Sequence, residues 1–197
     1  MQRYLLWMEV ALIAVAVAGV GFAAYAWIDA WMYQRSGMQE LQRLSTAPPE
    51  GGPPPSDGAL LGQIVIPQLG VSSVILEGTA MSTLQRAVGH VSGTALPGKP
   101  GNICLAGHRD SFFRQLRNVV AGHEIVIHTP GGSATYRVEG TGIVSPAQVA
   151  VLKPTRDDAL TLITCYPFGY LGSAPKRFVV RARAVPKAME ASTAGFR

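Results

Sequence analysis

The chain has 197 residues, 48% of them hydrophobic, which allows one compact domain of ordinary size with something added to it. A net charge of +5 and a pI near 9.5 raise nucleic-acid binding as a question, but the basic residues are scattered and form no aromatic-basic stripe or binding motif. That class is set aside, and the charge reads more simply as a basic domain held near an anionic membrane.

The addition is at the N-terminus. Residues 10–28 contain no charged side chain, a length that crosses a hydrocarbon core of about 30 Å as a helix. Trp7, Tyr25, Trp27 and Trp31 lie near the two ends of this run, as an interfacial belt would. A cleaved signal peptide has a shorter apolar region and a small-residue cleavage site, and the aromatic YAWIDAWMY that follows here is a poor cleavage context. Residues 1–31 therefore read as an uncleaved membrane anchor. Arg3 lies on one side and Arg35 and Arg43 on the other, so charge counting leans only weakly towards an internal N-terminus.

Next, QRSGMQELQRLS suits a short helix, and residues 46–58 are Pro/Gly-rich without apolar periodicity. Residues 32–58 thus read as a juxtamembrane segment and a spacer that holds the next domain off the bilayer. That domain is expected over residues 59–186, ahead of a tail, residues 187–197, with little to bury and expected to be disordered. Inside the domain, GQIVIP, VSSVILEG, NICLAG, HEIVIHT, ATYRVEGTGIV, LTLITC and RFVVRARAV read as strands. STLQRAVGH, DSFFRQLRNV and SPAQVAVL suit short helical pieces. Short strands joined by Gly/Pro turns indicate an all-β, mostly antiparallel barrel or sandwich.

Few residues in this domain can do chemistry. Cys165 ends a strand, His108 ends another, and Arg177 begins a third, places where a rigid scaffold presents functional groups. A thiolate attacks an acyl carbon, an imidazolium protonates the leaving amine, and a fixed guanidinium stabilises an oxyanion. Spacing alone does not bring the three together. The chain has only two cysteines, and in an exported domain two cysteines pair by default. A Cys104–Cys165 disulfide is therefore the alternative to a reactive Cys165, although Cys104, inside an apolar strand, reads as a small buried hydrophobe. Arg109, next to His108, would point to the opposite face of a continued strand and is a salt-bridge candidate. Arg181 and Arg183 share the face of Arg177 but lie further along the strand. No Cys/His cluster has metal-ligand spacing. Asp157 and Asp158 are the only acidic pair in the domain, too little to claim a calcium site.

The stretches GTALPGKPGN, GNICLAGHRDSFF, LTLITCYPF and GSAPKRFVV resemble the sortase family, most closely class D, over residues 62–185. The resemblance implies a closed eight-stranded sortase-type β-barrel with short helices, preceded by one transmembrane helix. It implies Cys165 as nucleophile, His108 as general acid/base and Arg177 as the oxyanion-stabilising arginine. His90, Thr164 and Tyr166 are candidates for the substrate groove or its immediate support, with residues 143–159 as further groove candidates. No cofactor is implied, and calcium dependence stays open. The implied reaction cleaves an LPxTx-like C-terminal sorting signal of a surface protein and passes the acyl group to an amine on a cell-wall precursor or another surface protein. The implied place is the cell membrane, with the N-terminus cytoplasmic and the catalytic domain outside. A plain cysteine peptidase and a non-catalytic peptide-binding domain are the rival readings on the same framework.

Overall fold

The computed structural model describes residues 2–44, 54–170 and 172–186; most of the expected spacer and the whole expected tail lie outside the described residues. Eight strands close into a barrel: β1 (Leu60–Ile66), β2 (Val71–Glu77), β3 (Val88–His90), β4 (Asn102–Ala106), β5 (Glu124–Thr129), β6 (Gly132–Val144), β7 (Ala159–Tyr166) and β8 (Lys176–Ala184). Their order around the barrel is β1-β2-β3-β4-β7-β8-β6-β5, and β5 pairs back onto β1. Neighbours are antiparallel except β2 with β3 and β4 with β7. The closed eight-stranded barrel is therefore present, with two parallel seams that the sequence did not indicate.

Alternation along the strands explains the core. Ile64 and Ile66, Ile103 and Leu105, and Leu160 and Leu162 point inward at every second residue and are fully buried. Each such side chain contributes roughly 1.5–3 kcal/mol relative to an exposed one. Phe113 and Leu116, from the connection after β4, close one end of this core. Gly62 is needed where β1 meets β5, because a Cβ there would sit 2.3 Å from the His128 carbonyl oxygen.

Three expected helical pieces differ. STLQRAVGH divides into α2 (Met81–Arg86) and the three-residue β3, because Val88 is drawn into the core beside Ile75. DSFFRQLRNV and SPAQVAVL form only 3-10 turns, at Arg114–Asn118 and Val149–Leu152. The largest difference is at the N-terminus, where α1 runs unbroken over Gln2–Leu44. The short helix expected in QRSGMQELQRLS is continuous with the anchor helix. Gly37, with an intrinsic helix cost of about 1 kcal/mol, stays helical because it lies against the barrel, where a Cβ would come 3.0 Å from Val74 Cγ1. Residues 7–25 of α1 are exposed wherever their side chains are described, an apolar length sufficient to span a membrane.

Candidate active site

The middle of the site is the end of β7. Leu160 and Leu162 face the core, so Cys165 projects from the outer face of the barrel, where it is half-buried. β8 pairs antiparallel with β7 and sets Arg177 directly opposite Cys165. On the other side, β4 runs parallel to β7 with Ala106 opposite Ile163. That pairing continues past the end of β4, for Gly107 N–H donates to the Ile163 carbonyl at 3.1 Å and Thr164 Oγ1 donates to the Gly107 carbonyl at 2.7 Å. Extending the register by one more residue sets His108 level with Cys165. Gly107 faces inward onto Phe113, where a Cβ would be 2.8 Å from the ring, so His108 faces outward on the side of Cys165. Continued two residues past the end of β4, the register thus aligns His108 in one row with Cys165 on β7 and Arg177 on β8, with backbone spacings of about 4.8 Å.

The row is chemically free. Among the described residues, neither the His108 ring nor the Cys165 sulfur has a hydrogen-bond partner. Arg177 is held by one nitrogen: Nη1 donates to the Ala174 carbonyl at 3.2 Å and to its neighbour Lys176 at 3.0 Å. Those bonds fix the plane of the guanidinium and leave its other donors for a substrate oxygen.

Below the row, the same outer face is covered. Thr161 Oγ1 donates to Asn102 Oδ1 at 2.7 Å, and Asn102 Nδ2 donates to the carbonyls of Val151 and Lys153 at 3.0 Å each. Arg181 Nη1 reaches Val151 O and Thr161 Oγ1 at 3.4 Å. The β6–β7 connection is thereby tied down over β4, β7 and β8. Arg183 is further out, paired with Glu139 at 2.6 Å and Asp157 at 2.5 Å on the surface.

Other candidates sit elsewhere. Thr164 and Tyr166 alternate to the face opposite Cys165: Thr164 ties β7 to Gly107, and Tyr166 packs with Phe168 and Phe178 at ring-centroid distances of 6.1 and 6.3 Å. His90 is buried, separated from β7 by β4, and its ring is fully engaged. Nδ1 contacts Glu77 Oε2 at 2.6 Å, and Nε2 lies 3.0 Å from both the Ala95 carbonyl and Thr94 Oγ1. Its place is structural support of the β3–β4 turn.

Arg109 is the residue whose part sequence reasoning missed. Its contact with Asp110 is long, at 3.6 Å, but it is buried and donates to the carbonyls of Pro167 at 2.9 Å, Tyr170 at 2.5 Å and Gly172 at 3.1 Å. One guanidinium thus holds the whole β7–β8 loop beside the residue that follows His108. No sequence signal marks backbone carbonyls as partners.

Cys104 and Cys165 are both free, so the disulfide alternative is not realised. Burial pushes the Cys104 thiol up to about 11, outweighing the lowering by Thr161, Thr94 and Arg181. Since the thiolate is the reactive form, Cys104 stays protonated and inert well below that value. Iodoacetamide at mildly alkaline pH should add one group to the folded protein, on Cys165. A second adduct on Cys104 without unfolding, read by peptide mass spectrometry, would contradict this environment. Among the described residues no three His, Cys, Asp or Glu side chains cluster to hold a metal.

A Clostridium perfringens Sortase D5 transpeptidase superposes with a TM-score of 0.67 at 25% identity, covering 78% of this chain and 99% of that one. Sortase C1 from Streptococcus suis gives a TM-score of 0.60 at 30% identity, covering 68% and 76%. The chain belongs to the sortase family: the sortase domain model matches residues 64–185. Sortase D of Bacillus subtilis (strain 168) is 33% identical over 132 residues, 66% of this chain and 67% of the relative. Sortase A of Listeria monocytogenes is 31% identical over 111 residues, 54% of this chain and 50% of the relative.

Proposed function

We propose that this protein is a membrane-anchored cysteine transpeptidase that cleaves an LPxTx-like sorting signal and joins the acyl fragment to an amine. The observation that carries this reading is the row His108–Cys165–Arg177 on the open outer face of β4, β7 and β8. Cys165 attacks as thiolate the carbonyl carbon that follows the signal's Thr side chain. Arg177 donates to the oxygen that becomes negative. The peptide C–N bond breaks as His108, in its imidazolium form, gives its proton to the departing amine. The result is a thioester on Cys165. An incoming amine then attacks that carbon, loses its proton to His108, and expels the Cys165 thiolate.

On this reading an extended peptide lies across the row, beside the β6–β7 connection. The apolar part of α1 is the anchor, with the N-terminus inside the cell and the barrel outside. Surface proteins carrying the signal are the substrates, and a cell-wall precursor or another surface protein supplies the amine.

Product analysis tests this against the peptidase reading, which uses the same three residues. The protein is incubated with a library of LPxTx-type peptides, with and without triglycine, and the products are weighed. An amide-linked product that forms only with triglycine is expected. Free acid alone, at a rate indifferent to amine, would assign the protein to hydrolysis.

A further inference from the structure

The helix that would cross the membrane does not stop at the membrane's edge. Asp29 Oδ2 pairs with Arg86 Nε at 3.0 Å, immediately after the charge-free run. Further along, the Gln34 amide is inserted into the barrel's edge: its oxygen accepts Val74 N–H at 2.8 Å, and its nitrogen donates to the Arg86 carbonyl at 2.7 Å and Ser73 Oγ at 3.2 Å. Gly37 lies against Val74, and Leu41 with Tyr33 packs on Val74, Leu76 and Ala87. The arm from Asp29 to Leu41 is therefore docked along β2, both leading away from the apolar span.

The topology then fixes where the chemistry points. β2 leads away from the span, β3 is parallel to β2, β4 is antiparallel to β3, and β7 is parallel to β4. β4 and β7 consequently run back towards the span, and both end at the catalytic row. Direct neighbours agree, since Ser111, Phe112 and Gln115, just beyond His108, share a cleft with Trp27, Ala30 and Trp31 of α1. Leu41 is beside Leu76, whose level is carried by Gly89 and Ala106 to Ile163, two residues short of Cys165. With 1.5 Å per helical residue and about 3.3 Å per strand residue, Cys165 lies about 10–15 Å from the end of the apolar span along the helix axis.

Charge is arranged to match. The end of the barrel nearest the span carries Arg86, Arg114, Arg117, Lys176 and Arg177 against Asp29 and Asp110, an excess of positive charge, while at the other end Glu139, Asp157 and Asp158 are balanced by Lys99, Arg156 and Arg183. Such a basic face is drawn to anionic headgroups.

We infer that the docked arm turns the active-site mouth towards the bilayer and seats the basic end on anionic lipid headgroups. This inference rests on the membrane-anchor reading of α1.

The test uses the full chain in vesicles of phosphatidylcholine and phosphatidylglycerol, with Cys165→Ser to remove the reactive thiol and Cys104 left buried. Single labels are placed by Val17→Cys in the span, Arg114→Cys at the near end and Lys99→Cys at the far end, the last two being exposed positions. Energy transfer to headgroup-labelled lipid should remove most of the donor emission at 114 and little at 99. Equal transfer at 114 and 99, or stronger transfer at 99, overturns the orientation while quenching of the Val17 label by acyl-chain quenchers keeps the anchor. A Val17 label that acyl-chain quenchers do not reach removes the anchor reading, and the inference with it.

Discussion

Cys165→Ala should abolish amide formation, and Arg177→Lys should lower kcat by about 10²–10³ with KM changed little, the usual cost of losing one preorganised oxyanion donor. The reasoning is geometric. Arg177 is the direct cross-strand partner of Cys165, and its Nη1 is committed to the Ala174 and Lys176 carbonyls. The planar guanidinium can accept that restraint and still aim its remaining donors at an oxygen beside the sulfur. A lysine keeps the charge but has a single ammonium on a flexible stem, so it cannot hold both carbonyls and a growing oxyanion at once. The donor matters only as negative charge develops, so the loss falls on kcat. Steady-state kinetics with the cleaved peptide and a fixed amine read both constants. A decrease in kcat of less than about tenfold, or one confined to KM, would move Arg177 from the reacting oxygen to ground-state binding of the peptide.

How much of this was legible beforehand depends on whether an interaction leaves a local pattern. Seven of the strands did, because residues such as Ile64, Ile66, Leu160 and Leu162 alternate into the core. β3 did not: three residues behind a helical turn carry no period, and Val88 is held by Ile75 of a distant strand. The catalytic candidates were visible as residue types at strand ends. Their adjacency was not, since it depends on the parallel β4–β7 seam and its continuation through Gly107. The loop contacts of Arg109, beyond its expected salt bridge, and the docking of Gln34 were passed over for a common reason. Both satisfy backbone groups far away in sequence, Arg109 at residues 167–172 and Gln34 at residues 74 and 86, and backbone groups are the same whatever residue carries them.

The second large effect concerns Glu77, which ends the apolar strand β2. In the structure it is 6% exposed, with Oε2 on His90 Nδ1 and Oε1 accepting from Ser92 Oγ, both at 2.6 Å. His90 in turn contacts Ala95 and Thr94, and Thr94 Oγ1 accepts the Cys104 backbone N–H at 3.3 Å. This chain of bonds holds the turn after β3, a strand too short to hold its place by ladder bonds alone. Glu77→Ala leaves the buried imidazole without its acceptor, a loss of about 3–5 kcal/mol for a broken buried pair. For a domain of this size that lowers Tm by roughly 10–20 °C. Glu77→Gln keeps one acceptor oxygen and the shape, so its loss should be clearly smaller. Thermal unfolding of the two variants beside the wild type measures both. Equal losses for Ala and Gln would mean that the carboxylate charge, more than the hydrogen bonds, holds β3 in the barrel wall. A loss below about 1 kcal/mol for Glu77→Ala, the scale of an ordinary exposed pair, would mean that the β2–β3–β4 seam stands without the pair.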